Sequence, residues 1–161
     1  MNTPHQKIAP FLWFENQAEE AVNFYVSTFT DAKIISTTRY GKEGPGPDDA
    51  VMVMNFELFG QEFVALNGNT QSKFNDSVSF YVKCETQQEI DTYWNAIEKE
   101  GQPLACGWIR DKYGVAWQIT PPMLPEMLQD KDKQKAGRVM QAMMQMIKID
   151  IQKLQDAYDG K

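Results

Sequence analysis

Few side chains in these 161 residues have the types and spacing for chemistry beyond hydrogen bonding. There is one histidine, His5, and there are two cysteines, Cys84 and Cys106. That scarcity excludes zinc fingers, HExxH enzymes, iron–sulfur clusters and multi-histidine metal cages. A Ser-His-Asp arrangement would depend on His5, close to the start of the sequence, where chains are usually loosely held. Cys106, beside Gly107-Trp108, has the chemistry of a nucleophile or redox thiol, but only Arg110 and Lys112 stand near enough in sequence to lower its pKa. Both cysteines read as small buried hydrophobes, and two thiols do not make a disulfide framework. Glu15, Glu57 and Glu62 are isolated carboxylates and read as solvent-facing. The other polar candidates are the amides of Asn67 and Gln118 and the hydroxyls of Ser79 and Tyr81. Trp13, Trp108 and Trp117 offer rings that either stack on a flat guest or fill the core. Asn67 precedes Gly68, so a turn and a ligand-facing amide are both open there.

The balance of 16 basic against 22 acidic residues, a net charge of −6, argues against a nucleic-acid partner, which would need clustered Lys and Arg. Hydrophobic residues make up 42%, enough for a packed core in one or at most two domains. Residues 1–7 contain no apolar signal-peptide core, and the longest apolar runs, 8–14 and 50–54, are far too short to span a membrane. A cytoplasmic protein with no membrane partner is expected.

These side chains must be positioned by a scaffold, and the sequence shows a duplicated one. The apolar run Ile8 to Phe14 is followed by apolar residues at 18, 21, 22, 25 and 29, one helical face, with Asn16 and Glu19 resembling a capping box. Seventy residues on, Val78 to Cys84 alternates like a half-buried strand. Thr86 and Glu89 then form a capping box, Ile90, Tyr93, Trp94 and Ile97 a helical stripe, and Gly101 a C-cap. Strands are expected at 33–40, 51–58 and 63–67 in the first half, with turns at Phe59-Gly60-Gln61 and Asn67-Gly68-Asn69. In the second half they are expected at 103–106, 108–111 and 115–120, with a hairpin turn at Asp111-Lys112-Tyr113-Gly114. The fold class is therefore α+β: two βαβββ modules in tandem, about residues 7–68 and 76–121, within a domain 1–123.

Pro121, Pro122 and Pro125 end the second set of strands. Leu124 to Leu128 reads as a short helical turn. From Asp132 onward Ala136, Met140, Met143, Ile147, Ile151, Leu154 and Tyr158 recur at three and four residues. This predicts one long amphipathic helix of about 25 residues within an extension spanning 124–161. Its methionines suit either packing on its own sheets or a partner's surface.

The duplicated unit resembles the vicinal oxygen chelate superfamily, the fold of glyoxalase I, extradiol dioxygenases and bleomycin-resistance proteins. The nearer resemblance is to its PhnB-like branch, often described as 3-demethylubiquinone 3-methyltransferase-like. The residues that carry it are Ile8 to Phe14, Ala18-Glu19-Glu20-Ala21, Phe24-Tyr25, Phe63 to Gly68, Phe74-Asn75, Ser79-Phe80 and, most specifically, Cys106 to Ile119. The tail segments Arg138 to Met143 and Lys148 to Ile151 also fit, so the resemblance covers nearly the whole chain.

The resemblance implies curved mixed sheets around a cavity, a homodimer, and in active members one His, Glu or Gln on each of four equivalent strands to hold a divalent metal. Carried onto this sequence, those positions fall at or beside Pro10, near Ala65, at Ser79 and at Gln118. One amide and one hydroxyl do not hold a divalent ion, so no metal and no other cofactor is expected. If Gln118 faces the cavity, strand alternation places Ala116 and Thr120 beside it and Trp117 in the core. The candidate lining is Leu12, Trp13, Phe14, Asn67, Ser79, Tyr81, Cys106, Trp108 and Gln118, with no catalytic residue assigned. A methyltransferase is not supported, because Gly41, Gly44 and Gly46 are interleaved with Pro45 and Pro47 and no helix follows. Three readings follow: a metal-free binder of a small organic ligand, a cavity enzyme of altered or metal-dependent chemistry, or a dimeric interaction protein whose cavity is filled by its own side chains.

Overall fold

The computed structural model describes residues 6–68 and 70–161, so His5 and Asn69 lie outside the described residues. The chain divides into two compact units, the first reaching Ser72 and the second running from Lys73 to Lys161. The first contains β1 (Phe11–Phe14), α1 (Ala18–Thr28), β2 (Ala32–Arg39), β3 (Val51–Leu58) and β4 (Gln61–Asn67). The second contains β5 (Ser79–Lys83), α2 (Gln87–Glu98), β6 (Gln102–Pro103), β7 (Trp108–Arg110) and β8 (Ala116–Thr120). The helices α3 (Met123–Leu128), α4 (Lys133–Met144) and α5 (Ile151–Asp159) follow.

Each unit folds its βαβββ sequence into a four-stranded mixed sheet, ordered β1-β4-β3-β2 and β5-β8-β7-β6. In both, the first strand runs parallel to the last, and the remaining neighbours are antiparallel. The parallel pairing requires a crossover, and the amphipathic helix supplies it. The duplication read at an offset of 70 is thus a duplication of topology.

The helix covers one face of each sheet. In the first unit Ala18, Ala21, Val22 and Tyr25 of α1 are buried with Leu12, Phe14, Met54, Phe56, Leu58, Phe63 and Ala65. The rings of Tyr25, Phe56 and Phe63 form a stack with centroids 6.0 and 5.2 Å apart. In the second, Ile90, Tyr93, Trp94 and Ile97 of α2 are buried with Val82, Cys84, Ile109, Trp117 and Ile119. Each sheet keeps a second face free of its helix.

The extension departs from the single long helix the periodicity predicts. Helix stops at Met144 and restarts at Ile151, where Asp150 caps it by accepting the Lys153 N–H at 3.0 Å. Between the two, the carbonyls of Met146 and Ile147 accept the N–H groups of Cys106 and Gly107, both at 2.8 Å. These carbonyls are therefore unavailable to a continuous helix. Gln87, at the start of α2, donates to the Ile149 carbonyl at 3.1 Å and accepts from the Ile151 N–H at 2.9 Å. The extension thus packs on its own module. Among the described residues no helix is long and apolar enough to cross a membrane.

Candidate functional site

The pleat sorts the predicted lining residues. On β1, Leu12 and Phe14 are buried while Phe11 and Trp13 are exposed. Leu12 and Phe14, expected as lining, therefore belong to the core under α1, and Phe11 and Trp13 are the residues of β1 that stand on the open face. The Trp13 ring lies against Gly68, where a Cβ would meet its Nε1 at 2.0 Å.

Asn67 resolves in favour of structure. Its Oδ1 accepts the Ala18 N–H at 2.8 Å, and its Nδ2 donates to the Val51 carbonyl at 3.0 Å, so both ends of the amide are engaged. Of the turns expected in this unit, Phe59-Gly60 is present, with positive φ at both residues joining β3 to β4. The one expected at 67–69 extends to Asn69, outside the described residues.

Cys106 lies in a turn that the sequence reads as strand. Cys106 and Gly107 both have positive φ, 60° and 81°, and the Trp108 N–H returns to the Ala105 carbonyl at 3.2 Å, the pattern of a type I′ turn. A Cβ at position 107 would meet Ile149 at 2.8 Å and Thr120 at 2.9 Å, so glycine is required there by space as well as by backbone. Cys84 is fully buried, and desolvation pushes its thiol up to about 12, with Glu89 and Glu85 adding to the shift.

The residues that do come together lie on the open face of the second sheet. Tyr81 of β5, Gln118 of β8 and Trp108 of β7 are direct neighbours across three strands. At the usual strand spacing this row spans about 10 Å from ring-bearing end to ring-bearing end. Ser79 lies on the same face, and its Oγ accepts from Gln118 Nε2 at 2.9 Å. That bond directs the other end of the Gln118 amide away from Ser79, where its oxygen is an acceptor, and leaves the Ser79 hydroxyl proton to donate elsewhere. Tyr81 is exposed, whereas Ser79, Trp108 and Gln118 are half-buried. Thr120 follows on the same face but is buried, and its hydroxyl has no hydrogen-bond partner.

Asp111 supports this row from behind. Its carboxylate accepts the N–H groups of Tyr113 and Val115 at 2.9 and 3.0 Å and the Trp117 indole N–H at 2.9 Å. With Gly114 at a φ of 90°, this closes the expected hairpin turn. Trp117 is held in the core, as alternation from Gln118 requires.

The residues can be tested against the divalent metal that the resemblance implies. The ladders move two of the expected positions by one residue. The pair Tyr81–Gln118 corresponds to Phe11–Val64 in the first unit, so the open-face counterpart of Gln118 is Val64, not Ala65, which is buried on the helix side. The counterpart of Ser79 at the offset of 70 is Ala9, beside Pro10. Ala9 and Val64 have no donor atoms, and Ser79 and Gln118 are bonded to each other. Glu57 on the first unit's open face is paired with Lys33 at 2.9 Å. Among the described residues no three His, Cys, Asp or Glu side chains gather as a metal-holding group. These residues do not fit a divalent ion. Nor does the stretch 41–46 build a glycine turn at a helix start, since it leads into β3.

Comparison with known proteins places the scaffold. The model of a family described as 3-demethylubiquinone-9 3-methyltransferase matches residues 6–120. A solved PhnB protein from Bacillus cereus, described under the same methyltransferase name, is 41% identical, with a TM-score of 0.65 over 71% of this chain and 99% of that one. A protein from Pseudomonas aeruginosa is 18% identical, with a TM-score of 0.61 over 73% of this chain and 98% of that one. A genomically encoded fosfomycin resistance protein, FosX, from Listeria monocytogenes is 14% identical, with a TM-score of 0.50 over 80% and 100%. These last two share the fold. No curated relative matches the sequence. The family match ends before α3, so the tail segments that fit the resemblance by sequence lie outside it. The chain belongs to the PhnB-like 3-demethylubiquinone-9 3-methyltransferase family, within the vicinal oxygen chelate superfamily.

Proposed function

We propose that this protein binds a small, flat organic molecule on the open face of its second sheet, without a metal and with no reaction assigned. The Tyr81–Gln118–Trp108 row carries the reading. Two aromatic side chains flank an amide that Ser79 orients. A planar ring gains stacking and burial against the aromatics, and a polar edge on it is met by the Gln118 oxygen and the Ser79 hydroxyl. Within the second unit Ser79 and Gln118 are bonded to each other, which supports recognition by hydrogen bonds instead of Lewis-acid chemistry.

Native mass spectrometry of freshly purified protein reports bound ligand, metal and oligomeric state together. The reading expects a copurifying organic mass that is lost on Gln118→Ala or Trp108→Ala. More than about half an equivalent of a transition metal, lost on Gln118→Ala, would overturn it.

A second reading, of a homodimer held through the extension, draws on one observation. Met140 and Met144 of α4 and Ile147 just beyond it are exposed, at 41%, 62% and 58%. Light scattering at micromolar concentration that returns a monomer removes this reading and leaves the first intact.

A further inference from the structure

Arg110 stands on the same open face, opposite Ala116 in the ladder and two residues from Trp108. Its guanidinium is already occupied. Nε donates to Asp76 Oδ1 at 2.7 Å, the Nη2 group donates to Asp76 Oδ2, and Nη1 donates to Gln102 Oε1 at 2.9 Å. Asp76 arrives from the segment just before β5, so its carboxylate is delivered to the arginine from outside the sheet. The arrangement is the two-pronged pairing by which an arginine receives the carboxylate of a ligand.

The pair does not come apart by titration near neutrality. The Arg110 hydrogen bonds hold the Asp76 carboxyl below its usual range, and Asp76 pushes the guanidinium further up. Elsewhere on this face the side chains of Ser79, Trp108 and Gln118 carry no charge. Lys83 lies at the far end of β5 beside Thr120 and is exposed, a solvated point charge without arginine's fork.

We propose that Asp76 acts as a built-in occupant of Arg110's carboxylate fork and thereby selects against anionic ligands on this face. The inference rests on the reading that the Tyr81–Gln118–Trp108 row binds a flat organic molecule, and it names the class. An anionic ligand reaching for Arg110 must displace a carboxylate tethered beside it, whose effective concentration is on the order of millimolar or higher. A neutral ring bearing an amide or carbonyl meets no such competitor, because it needs only Gln118, Ser79 and the two aromatics.

Two probes share a ring and a hydroxyl and differ in charge: 4-hydroxybenzamide and 4-hydroxybenzoate. Each is titrated into the full chain while the Trp108 indole N–H and the Gln118 side-chain amide are followed by NMR. The wild type is expected to bind the amide at least tenfold more tightly than the acid. Asp76→Ala should raise affinity for the acid at least tenfold and leave the amide within twofold, and adding Arg110→Gln should abolish the gain. Asp76→Asn, which keeps the side chain's shape, should raise affinity for the acid several-fold and serves if the alanine variant fails to fold. If the amide binds but a folded Asp76 variant keeps the wild-type preference, or if the wild type shows none, the selectivity role of Asp76 is wrong and the proposed binding face survives. If neither probe moves either signal in the wild type, the binding face itself is wrong and the inference falls with it.

Discussion

The side-chain oxygen of Asn67 accepts the backbone N–H of Ala18 at 2.8 Å, so the first helix is capped by a residue 49 positions away, at the end of β4. The helix start has no side-chain cap of its own: Gln17 occupies the N-cap position without a capping bond. The same amide donates to the Val51 carbonyl, and the Tyr40 hydroxyl donates to the Asn67 carbonyl at 2.7 Å. One side chain thus ties α1, β3 and β4 together. Asn67→Ala removes a cap and a part-buried hydrogen bond and is expected to destabilise the protein by about 2 kcal/mol. Asn67→Asp keeps the acceptor for Ala18, loses the donor to Val51, and should fall between. Urea unfolding of the three proteins gives the order. A wild-type midpoint in Asn67→Ala would mean that the cap contributes nothing.

This long-range cap shows where sequence reading works in this chain and where it stops. The Thr86–Glu89 capping box was legible because all its atoms lie within one turn: the Glu89 N–H donates to Thr86 Oγ1 at 3.2 Å, and Glu89 reaches back to the Glu85 N–H. The similar pattern at Asn16 and Glu19 forms no such box, because a distant strand supplies the acceptor. Alternation placed Trp117 in the core, yet the parity of β1, and with it Leu12 and Phe14, depends on register against β4, which a short apolar run cannot reveal. The break at 145–150 follows from the same limit. Its tertiary cause, capture of the Met146 and Ile147 carbonyls by the turn at Cys106-Gly107, lies 40 residues upstream. A local signal was nonetheless present: Ile147, Ile149 and Ile151 alternate, and Asp150 is a good helix cap. The turn at Asp111 is legible in its residues, but its role in holding the Trp117 indole is not. No sequence pattern pairs Arg110 with Asp76.

Thr120 offers a stability test of a different kind. Its hydroxyl is buried without a hydrogen-bond partner, and an unmade bond of this sort costs about 1–3 kcal/mol. Thr120→Val replaces the hydroxyl with a methyl of similar shape. It should stabilise the protein by about 1 kcal/mol, a rise in Tm of roughly 2–4 °C. Thr120→Ser keeps the hydroxyl and should give no gain. Loss of stability in the valine variant would show that the hydroxyl is satisfied, for example by a buried water.

Burial of Cys84 gives the alkaline limb of stability a defined sign. Its thiol titrates at about 12 in the folded protein against an ordinary value of 9.0, chiefly through desolvation. Above pH 9 the unfolded chain releases this proton while the folded protein keeps it. The unfolded state therefore binds fewer protons, and stability falls as pH rises. The contribution is fully present below pH 9 and is lost progressively toward pH 12. Between pH 9 and pH 11 the loss from this one group is about 2 kcal/mol. Cys84→Ala should lose that much less than the wild type over the same interval, although it starts from lower stability. Parallel pH profiles for the two proteins would contradict the shift.

Gln87 fastens the extension to the second module, and its removal tests whether that attachment is real in solution. The side chain donates to the Ile149 carbonyl and accepts the Ile151 N–H, and nearby Lys148 pairs with Asp91 at 2.8 Å. Gln87→Ala leaves both part-buried backbone groups without these bonds and should cost about 1–2 kcal/mol. Gln87→Glu retains the acceptor for Ile151 and should recover part of the loss. The distinguishing readout is local. Cys106 and Gly107 donate to the carbonyls of Met146 and Ile147, so their amides should exchange with solvent at least several-fold faster once Gln87 is removed. Amides in the first unit, such as that of Val64, should keep their rates. Unchanged exchange at Cys106 and Gly107, alongside a measurable loss of stability, would mean that the segment is held by Ile149 and the Lys148–Asp91 pair, with Gln87 serving only the start of α2.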